Sequence, residues 1–338
     1  MELREVTKKL FSGKNLNFDE ARVLFSAVFD GELDGNLISS SLVALSIKGE
    51  FPEEIAAALV EAGRRKVKVE ASGTVVDTCG TGGDGSSTFN ISTASAFIVK
   101  ALGVKVAKHG NRAVTGKVGS ADIVEMMGIP VITDRFTAGR WIEKFGFAFL
   151  FAPHFHPAFK RVAGIRRSLG IPTIFNLLGP LVNPAEPSAQ LIGFFSASGM
   201  RSVAEALRIL GITNRVLVRS LDGLDEVSTR SETEVLEVRE DGIKSFVFRP
   251  ESVIGRRFSV PRVESVREAV ETFAGALSGE HEEAAKVAAL NAAFTLYAAQ
   301  VCDIDEGYRR AYRAIKEGAV VKGIEELRSH VSAEDKKD

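Results

Sequence analysis

Only two of the 338 residues are cysteine, Cys79 and Cys302, and neither stands in metal-ligand spacing. A disulfide framework is thereby excluded, and both thiols are read as reduced. Long apolar runs are absent too: a membrane span needs roughly 20 such residues, and the segment from Phe147 to Ala152 is far too short. The N-terminus, Met1-Glu2-Leu3-Arg4-Glu5, lacks the basic-then-apolar plan of a secretory signal. A cytoplasmic protein is expected. Excess charge is also missing, with 43 Lys and Arg against 44 Asp and Glu and a formal net charge of -1. General affinity for nucleic acid or an anionic membrane is unsupported. There is no internal repeat, no low-complexity segment and no Ser-His-Asp or Cys-His arrangement. What remains is an ordinary globular composition, 45% hydrophobic and 26% charged, long enough for one large domain or a large and a small one.

Residues 1–66 read as helices only. Leu3, Val6 and Leu10 share a face, and Ala21, Leu24, Phe25 and Val28 form an i, i+3, i+4, i+7 stripe behind a cap at Asn17. A third helix follows Asp34 and carries Leu37, Leu42 and Leu45; Pro52 opens a fourth with Ile55 and Leu59 inward. From Thr74 strands alternate with helices, the signature of a largely parallel sheet covered on both faces. Strands are expected at Thr74–Thr78, Val104–Ala107, Val131–Thr133, Phe147–Phe151, Gln190–Phe195 and Arg215–Ser220, with helices at Ser92–Leu102, Ser120–Met127, Phe136–Phe145 and Arg201–Leu210. Between Pro153 and Pro187 the chain is helical and proline-punctuated, too long for a simple crossover, and is expected to return to the N-terminal helices. Glu234–Phe248 reads as a hairpin about Asp241-Gly242. Ser265–Ser278, Glu282–Ala299 and a short segment at Tyr308–Lys316 are helical, and the charged tail after Ser329 is expected to fray. The expected division is a helical domain at 1–66 joined by part of 153–187, an α/β catalytic domain at 70–152 and 188–330, and a frayed tail at 331–338.

In such a sheet, ligands bind beyond the carboxyl ends of the strands. Three of those ends carry unusual sequence. The first, Asp77-Thr78-Cys79-Gly80-Thr81-Gly82-Gly83-Asp84-Gly85-Ser86-Ser87-Thr88-Phe89-Asn90-Ile91-Ser92-Thr93, places four glycines within six positions before a helix. Bare N–H groups and a helix N-terminus that Asn90, Ser92 or Thr93 can cap make a phosphate cradle. A Walker-type loop is excluded because no Gly-Lys-Ser/Thr follows. Gly80 to Gly85 satisfies G-x-G-x-x-G, but the acid expected about 20 residues on is replaced by Lys108-His109, so dinucleotide binding is a minor alternative. The second end runs from Lys108-His109-Gly110-Asn111-Arg112 through Gly116-Lys117 to Ser120, three cations among glycines and hydroxyls. The third is Asp222-Gly223-Leu224-Asp225-Glu226-Val227-Ser228, whose adjacent carboxylates suit magnesium. Together the loops describe a polyphosphate ester held by amides, Lys108 and Arg112, with magnesium at Asp225 and Glu226.

These motifs, with Gly119-Ser120-Ala121-Asp122 and Phe175-Asn176-Leu177-Leu178-Gly179-Pro180-Leu181-Val182-Asn183-Pro184, resemble the anthranilate phosphoribosyltransferases from near residue 1 to about 325. The resemblance implies a phosphorylase-like α/β fold with a helical domain, and transfer of phosphoribose from 5-phosphoribosyl 1-diphosphate to anthranilate with release of diphosphate, in tryptophan biosynthesis. It implies magnesium, and a homodimer joined through the helical domain. Carried over by motif, Gly80, Gly83, Asp84, Thr88, Asn90, Ile91, Ser92 and Thr93 hold the diphosphate and ribose, completed by Lys108, Asn111, Arg112, Gly116 and Ser120. Ser92, Asp225 and Glu226 face the metal. Asp84 is expected to meet a metal, water or ribose, since it repels phosphate. Arg166 is placed at the anthranilate carboxylate, a group its guanidinium fork suits, and His109, Asn111, His156, Gly179 and Pro180 border that pocket.

Some positions depart from the family pattern. Val118 stands where many relatives carry a hydroxyl, and Thr115 where they carry serine. Arg167 beside Arg166 leaves the carboxylate partner open by one position. His154-Phe155-His156 has metal-pair spacing but no third ligand nearby. The competing readings are a pyrimidine nucleoside phosphorylase, for which the Asp225-Glu226 pair has no evident task, and a non-catalytic nucleic-acid-binding relative, which the balanced charge opposes.

Overall fold

The computed structural model describes residues 2–82, 85–113 and 118–334. Chain entry is helical for local reasons. Helix α1 (Leu3–Phe11) buries Val6 and Leu10. Helix α2 (Phe18–Asp30) begins at a reciprocal cap, the Glu20 N–H on Asn17 Oδ1 at 2.9 Å and the Asn17 N–H on Glu20 Oε2 at 2.8 Å. Asp34 caps α3 (Gly35–Lys48), and α4 (Pro52–Arg65) starts on proline. One expectation fails in α3. Leu37 is 37% exposed, and the buried face is Ile38, Leu42 and Leu45, whose i, i+4, i+7 spacing leaves Leu37 about 100° off it.

The α/β body then alternates: β1 (Val75–Gly80), α5 (Ile91–Ala101), β2 (Lys105–Gly110), α6 (Ser120–Met126), β3 (Val131–Ile132), α7 (Arg135–Phe145) and β4 (Phe147–Phe151). Next come α8 (Ala152–Phe155), a 3₁₀ turn at Pro157–Phe159, α9 (Lys160–Leu169) and α10 (Ile174–Leu181). This segment leaves the sheet: α9 packs on α3, and α10 on α4. The remainder is β5 (Ala189–Gly193), α11 (Ala197–Ile209), β6 (Arg215–Ser220), β7 (Thr233–Arg239), β8 (Gly242–Phe248), α12 (Glu251–Ile254), α13 (Val266–Ser278), α14 (Glu282–Ala298), α15 (Ile304–Lys316) and α16 (Ala319–Glu334). The last helix corrects the expectation of a tail frayed from Ser329. Val320, Ile324 and Leu327 recur at helical spacing and are buried, α16 packs on α5, and the helix runs to Glu334; residues 335–338 lie outside the described ones.

The strands order as β3-β4-β2-β1-β5-β6-β7-β8 in one sheet. Strands β1 to β6 run parallel, and β7 and β8 form the antiparallel hairpin that closes at Gly242. Side-chain alternation assigns the two faces: Val216 and Val218 join one core with α5 and α14, while Leu217 joins the other with α4 and α11. Helix α14 is buried all round, which explains its alanine-rich, stripe-free sequence. Topology also fixes the site. The chain leaves β1 toward β2 on one side and reaches β5 on the other, so the switch point opens between the carboxyl ends of β1 and β5. No helix among the described residues is long and apolar enough to cross a membrane.

Candidate active site

Strands β1 and β2 outrun their predicted ends by two and three residues, so Lys108 and His109 are strand residues, not loop residues. Being adjacent on a pleated strand, they point to opposite faces. His109 lines one of two adjoining cavities, while Lys108 is buried and lines neither.

A polar cavity of about 430 Å³ lies beside the glycine loop. Gly80, Thr88, Asn90, Ile91, Ser92 and Ser120 line it, with Asp225 and Glu226 across from them. The acids come from the β6–β7 connection and meet loop amides: the Gly82 N–H donates to Asp225 Oδ2 at 2.7 Å, and the Ser92 N–H to Glu226 Oε1 at 3.2 Å. Gly82 takes a φ of +69°, which a side chain would strain. Lys108, 2% exposed, lies beneath the wall and donates from Nζ to the Thr78 carbonyl at 2.6 Å and Ser92 Oγ at 3.3 Å.

An aromatic cavity of about 340 Å³ adjoins it and shares Gly80. His109, Asn111, His156, Arg166, Gly179 and Pro180 all line it, together with Phe159 and Phe175. The Arg166 guanidinium sits 5.3 Å from the Phe175 ring centre and donates to Asn176 Oδ1 at 3.5 Å. Burial lowers its pKa. Arg167 is exposed and does not line the cavity, so of the two neighbours it is Arg166 that reaches it. His109 and His156 approach Nε2 to Nε2 at 3.1 Å. Burial pushes both pKa values down, that of His156 to about 4, so the pair is neutral and one ring donates to the other. His154 stands apart against the Phe151 ring.

Other candidates are placed differently. Arg112 is clamped by Glu125 at 2.6 and 2.8 Å and Asp122 at 2.8 Å, and does not line the polar cavity. Thr93 is fully buried and its Oγ1 meets no partner among the described residues. Asn90 precedes α5 without capping it; its amide donates instead to the Val118 carbonyl at 3.2 Å. Gly83, Asp84, Thr115 and Gly116 lie outside the described residues. Sequence reasoning missed Gly193 at the end of β5. A Cβ there would overlap the Asp225 backbone carbonyl, so this glycine admits the acidic loop. Its only sequence signal is a glycine closing an apolar strand.

A helical bundle set on an α/β sheet, with paired cavities meeting at Gly80 at the end of β1, is the two-part architecture of a glycosyl transferase family whose models match this chain. The family described as "Glycosyl transferase family, helical bundle domain" matches residues 4–64, and "Glycosyl transferase family, a/b domain" matches 72–321. An anthranilate phosphoribosyltransferase from Pyrobaculum aerophilum is 42% identical over 96% of this chain and 98% of its own length. The Thermus thermophilus anthranilate phosphoribosyltransferase superposes with a TM-score of 0.89 at 36% identity, covering 96% of this chain and 98% of that one. The Saccharomyces cerevisiae enzyme, solved with PRPP and Mg, superposes at 0.86 with 27% identity and 98% coverage of both chains; it was also solved with 4-fluoroanthranilate. This chain belongs to the anthranilate phosphoribosyltransferase family.

Proposed function

We propose that the protein transfers phosphoribose from 5-phosphoribosyl 1-diphosphate to the amino group of anthranilate, the step named for its relatives in tryptophan biosynthesis. The observation that carries this reading is the pair of unlike cavities meeting at Gly80. The polar one, with its loop amides and carboxylates, suits a diphosphate and its metal. The aromatic one, with one guanidinium beside Phe175, suits a flat ring bearing a carboxylate.

In the reaction the anthranilate nitrogen forms its bond to C1 of the ribose while the C1–O bond to diphosphate breaks. The diphosphate leaves with that electron pair, and the nitrogen sheds a proton. An aromatic amine is nucleophilic when neutral, so a strong base is unnecessary. Lys108 stabilises the negative charge that develops on the leaving group, and Arg166 orients the acceptor.

Asp225, Glu226 and Ser92 offer hard oxygen atoms at one rim of the polar cavity, a donor set that fits magnesium. When bound, magnesium supplies positive charge against the departing diphosphate.

The same proposal divides the chain into a helical unit at 1–66 with part of 153–187 and a catalytic unit at 70–152 and 188–330, in a cytoplasmic enzyme with no role for nucleic acid or membrane. It includes a homodimer through the helical unit, whose Phe11, Leu37, Ile47 and Phe51 are exposed apolar side chains. The mass in solution tests the dimer. The activity is tested by the loss of anthranilate fluorescence with the phosphoribosyl donor and magnesium, and controls lacking either must show none.

A further inference from the structure

Asp77 is fully buried in β1, on the side of the sheet that supports the aromatic cavity. Its carboxylate accepts four N–H groups: Thr78 N–H at 2.8 Å and His109 N–H at 3.4 Å on Oδ1, Asn183 Nδ2 at 2.9 Å and Gln190 Nε2 at 3.1 Å on Oδ2. Two of these partners reach onward. Gln190 Nε2 also donates to the Pro180 carbonyl at 2.8 Å, and Asn183 Nδ2 to the Ala107 carbonyl at 2.8 Å. Those carbonyls fix which way both amides face, so the arrangement cannot invert.

No cation among the described residues forms an ion pair with Asp77 within 4.0 Å. Burial raises its pKa, opposed by the Lys108 charge and the surrounding hydrogen bonds. A buried carboxylate is costly, and here four hydrogen bonds offset that cost. What the carboxylate does hold is the underside of two walls of the aromatic cavity: His109 by its main chain, and Pro180 through Gln190.

We propose that Asp77 is a positioning residue for the acceptor: its carboxylate sets the His109 and Pro180 walls at the spacing that grips an aromatic amino-carboxylate beside Arg166. This inference rests on the reading of the aromatic cavity as the acceptor site. All four partners are hydrogen-bond donors, so Asp77→Asn is not conservative. Whichever way the new amide turns, its NH₂ faces N–H groups and leaves donors without an acceptor.

The test is steady-state kinetics with each substrate varied, on Asp77→Asn and on Gln190→Leu, alongside thermal melting. Gln190→Leu cuts the link to Pro180 while three donors remain on the carboxylate, so it reports even where Asp77→Asn does not fold. Both variants should raise KM for anthranilate about tenfold or more, the loss of a charge-assisted hydrogen bond, and Gln190→Leu, whose link runs to Pro180 in the wall of the aromatic cavity and not of the polar one, should leave KM for the phosphoribosyl donor within about twofold. An unchanged anthranilate KM in Gln190→Leu, or an equal rise for both substrates, overturns the assignment. Wild-type enzyme assayed in parallel separates the two questions: no consumption of anthranilate there defeats the proposed function itself.

Discussion

The Gly82 N–H donates to Asp225 Oδ2 at 2.7 Å, joining two loops 143 residues apart in the chain. Glu226 repeats the contact one position on, against the Ser92 N–H. The carboxylates therefore set the glycine loop in place as well as facing the proposed metal. Replacing both with Ala is expected to lower magnesium-dependent turnover by about a hundredfold or more. Rates measured across a magnesium titration check this, and full activity in the double variant removes Asp225 and Glu226 from the metal site.

The same loop makes two glycines unequal. A Cβ on Gly193 would overlap the Asp225 backbone carbonyl, whereas one on Gly80 would meet the Asp225 side chain, with Cγ at 2.7 Å. A side chain can rotate away; a backbone carbonyl moves only with its loop. Gly193→Ala should therefore destabilise by about 1–3 kcal/mol, more than Gly80→Ala, while both lower activity. Urea titrations of the two variants give the ranking, and the reverse order contradicts this packing.

Much of this site was legible because its chemistry sits in local runs. Gly80 to Ser92, Lys108 to Ser120 and Asp225-Glu226 each announce themselves by residue type, and Arg166 by its motif. Residues that act through distant contacts gave no such signal. Gly193 matters only because residue 225 crosses it, and the charge on Asp77 has meaning only beside Asn183 and Gln190. Fold reading shows the same divide. Alternation marked the parallel strands, but their extension through Lys108 and His109 and the helix at Ala319–Glu334 depend on tertiary packing. Pairing also redirected Arg112, whose charge promised a phosphate contact and whose neighbours Asp122 and Glu125 claim it here.

Arg166 lines the aromatic cavity and Arg167 does not. No carboxylate among the described residues pairs with Arg166, whose guanidinium donates only a long bond to Asn176 among the side chains there, in keeping with its proposed role at the acceptor. Arg166→Ala should raise KM for anthranilate about a hundredfold with little change in KM for the phosphoribosyl donor, and Arg167→Ala should change neither. Equal effects on both substrates would move the carboxylate site elsewhere.

The buried histidines make stability pH-dependent. Unfolded histidine binds a proton near pH 6.5, while burial holds folded His156 neutral down to about 4 and lowers His109 as well. Below pH 6.5 the unfolded chain therefore binds more protons, and the stability that these rings contribute is lost as pH falls toward 4, by up to about 1.4 kcal/mol per pH unit for each ring. Asp77, whose pKa is raised by burial, contributes with the opposite sign. The measurement is accordingly a difference: unfolding free energies of wild type and His156→Gln between pH 7 and 4.5. The wild type should lose more stability across that range, and parallel curves would mean that His156 titrates normally.

Arg112 offers the last case, because its present partners compete with its proposed one. Glu125 holds it bidentate and Asp122 adds a third bond, on a half-exposed surface beside the polar cavity. A guanidinium drawn to diphosphate must give up at least part of that pairing. Exposed ion pairs contribute little, so the exchange is feasible on binding. Glu125→Gln weakens the competing side alone and should lower KM for the phosphoribosyl donor by about two- to fivefold at low salt, an effect that fades as ionic strength rises. A melting temperature that drops with no change in that KM would instead make the triad purely structural and remove Arg112 from the diphosphate site.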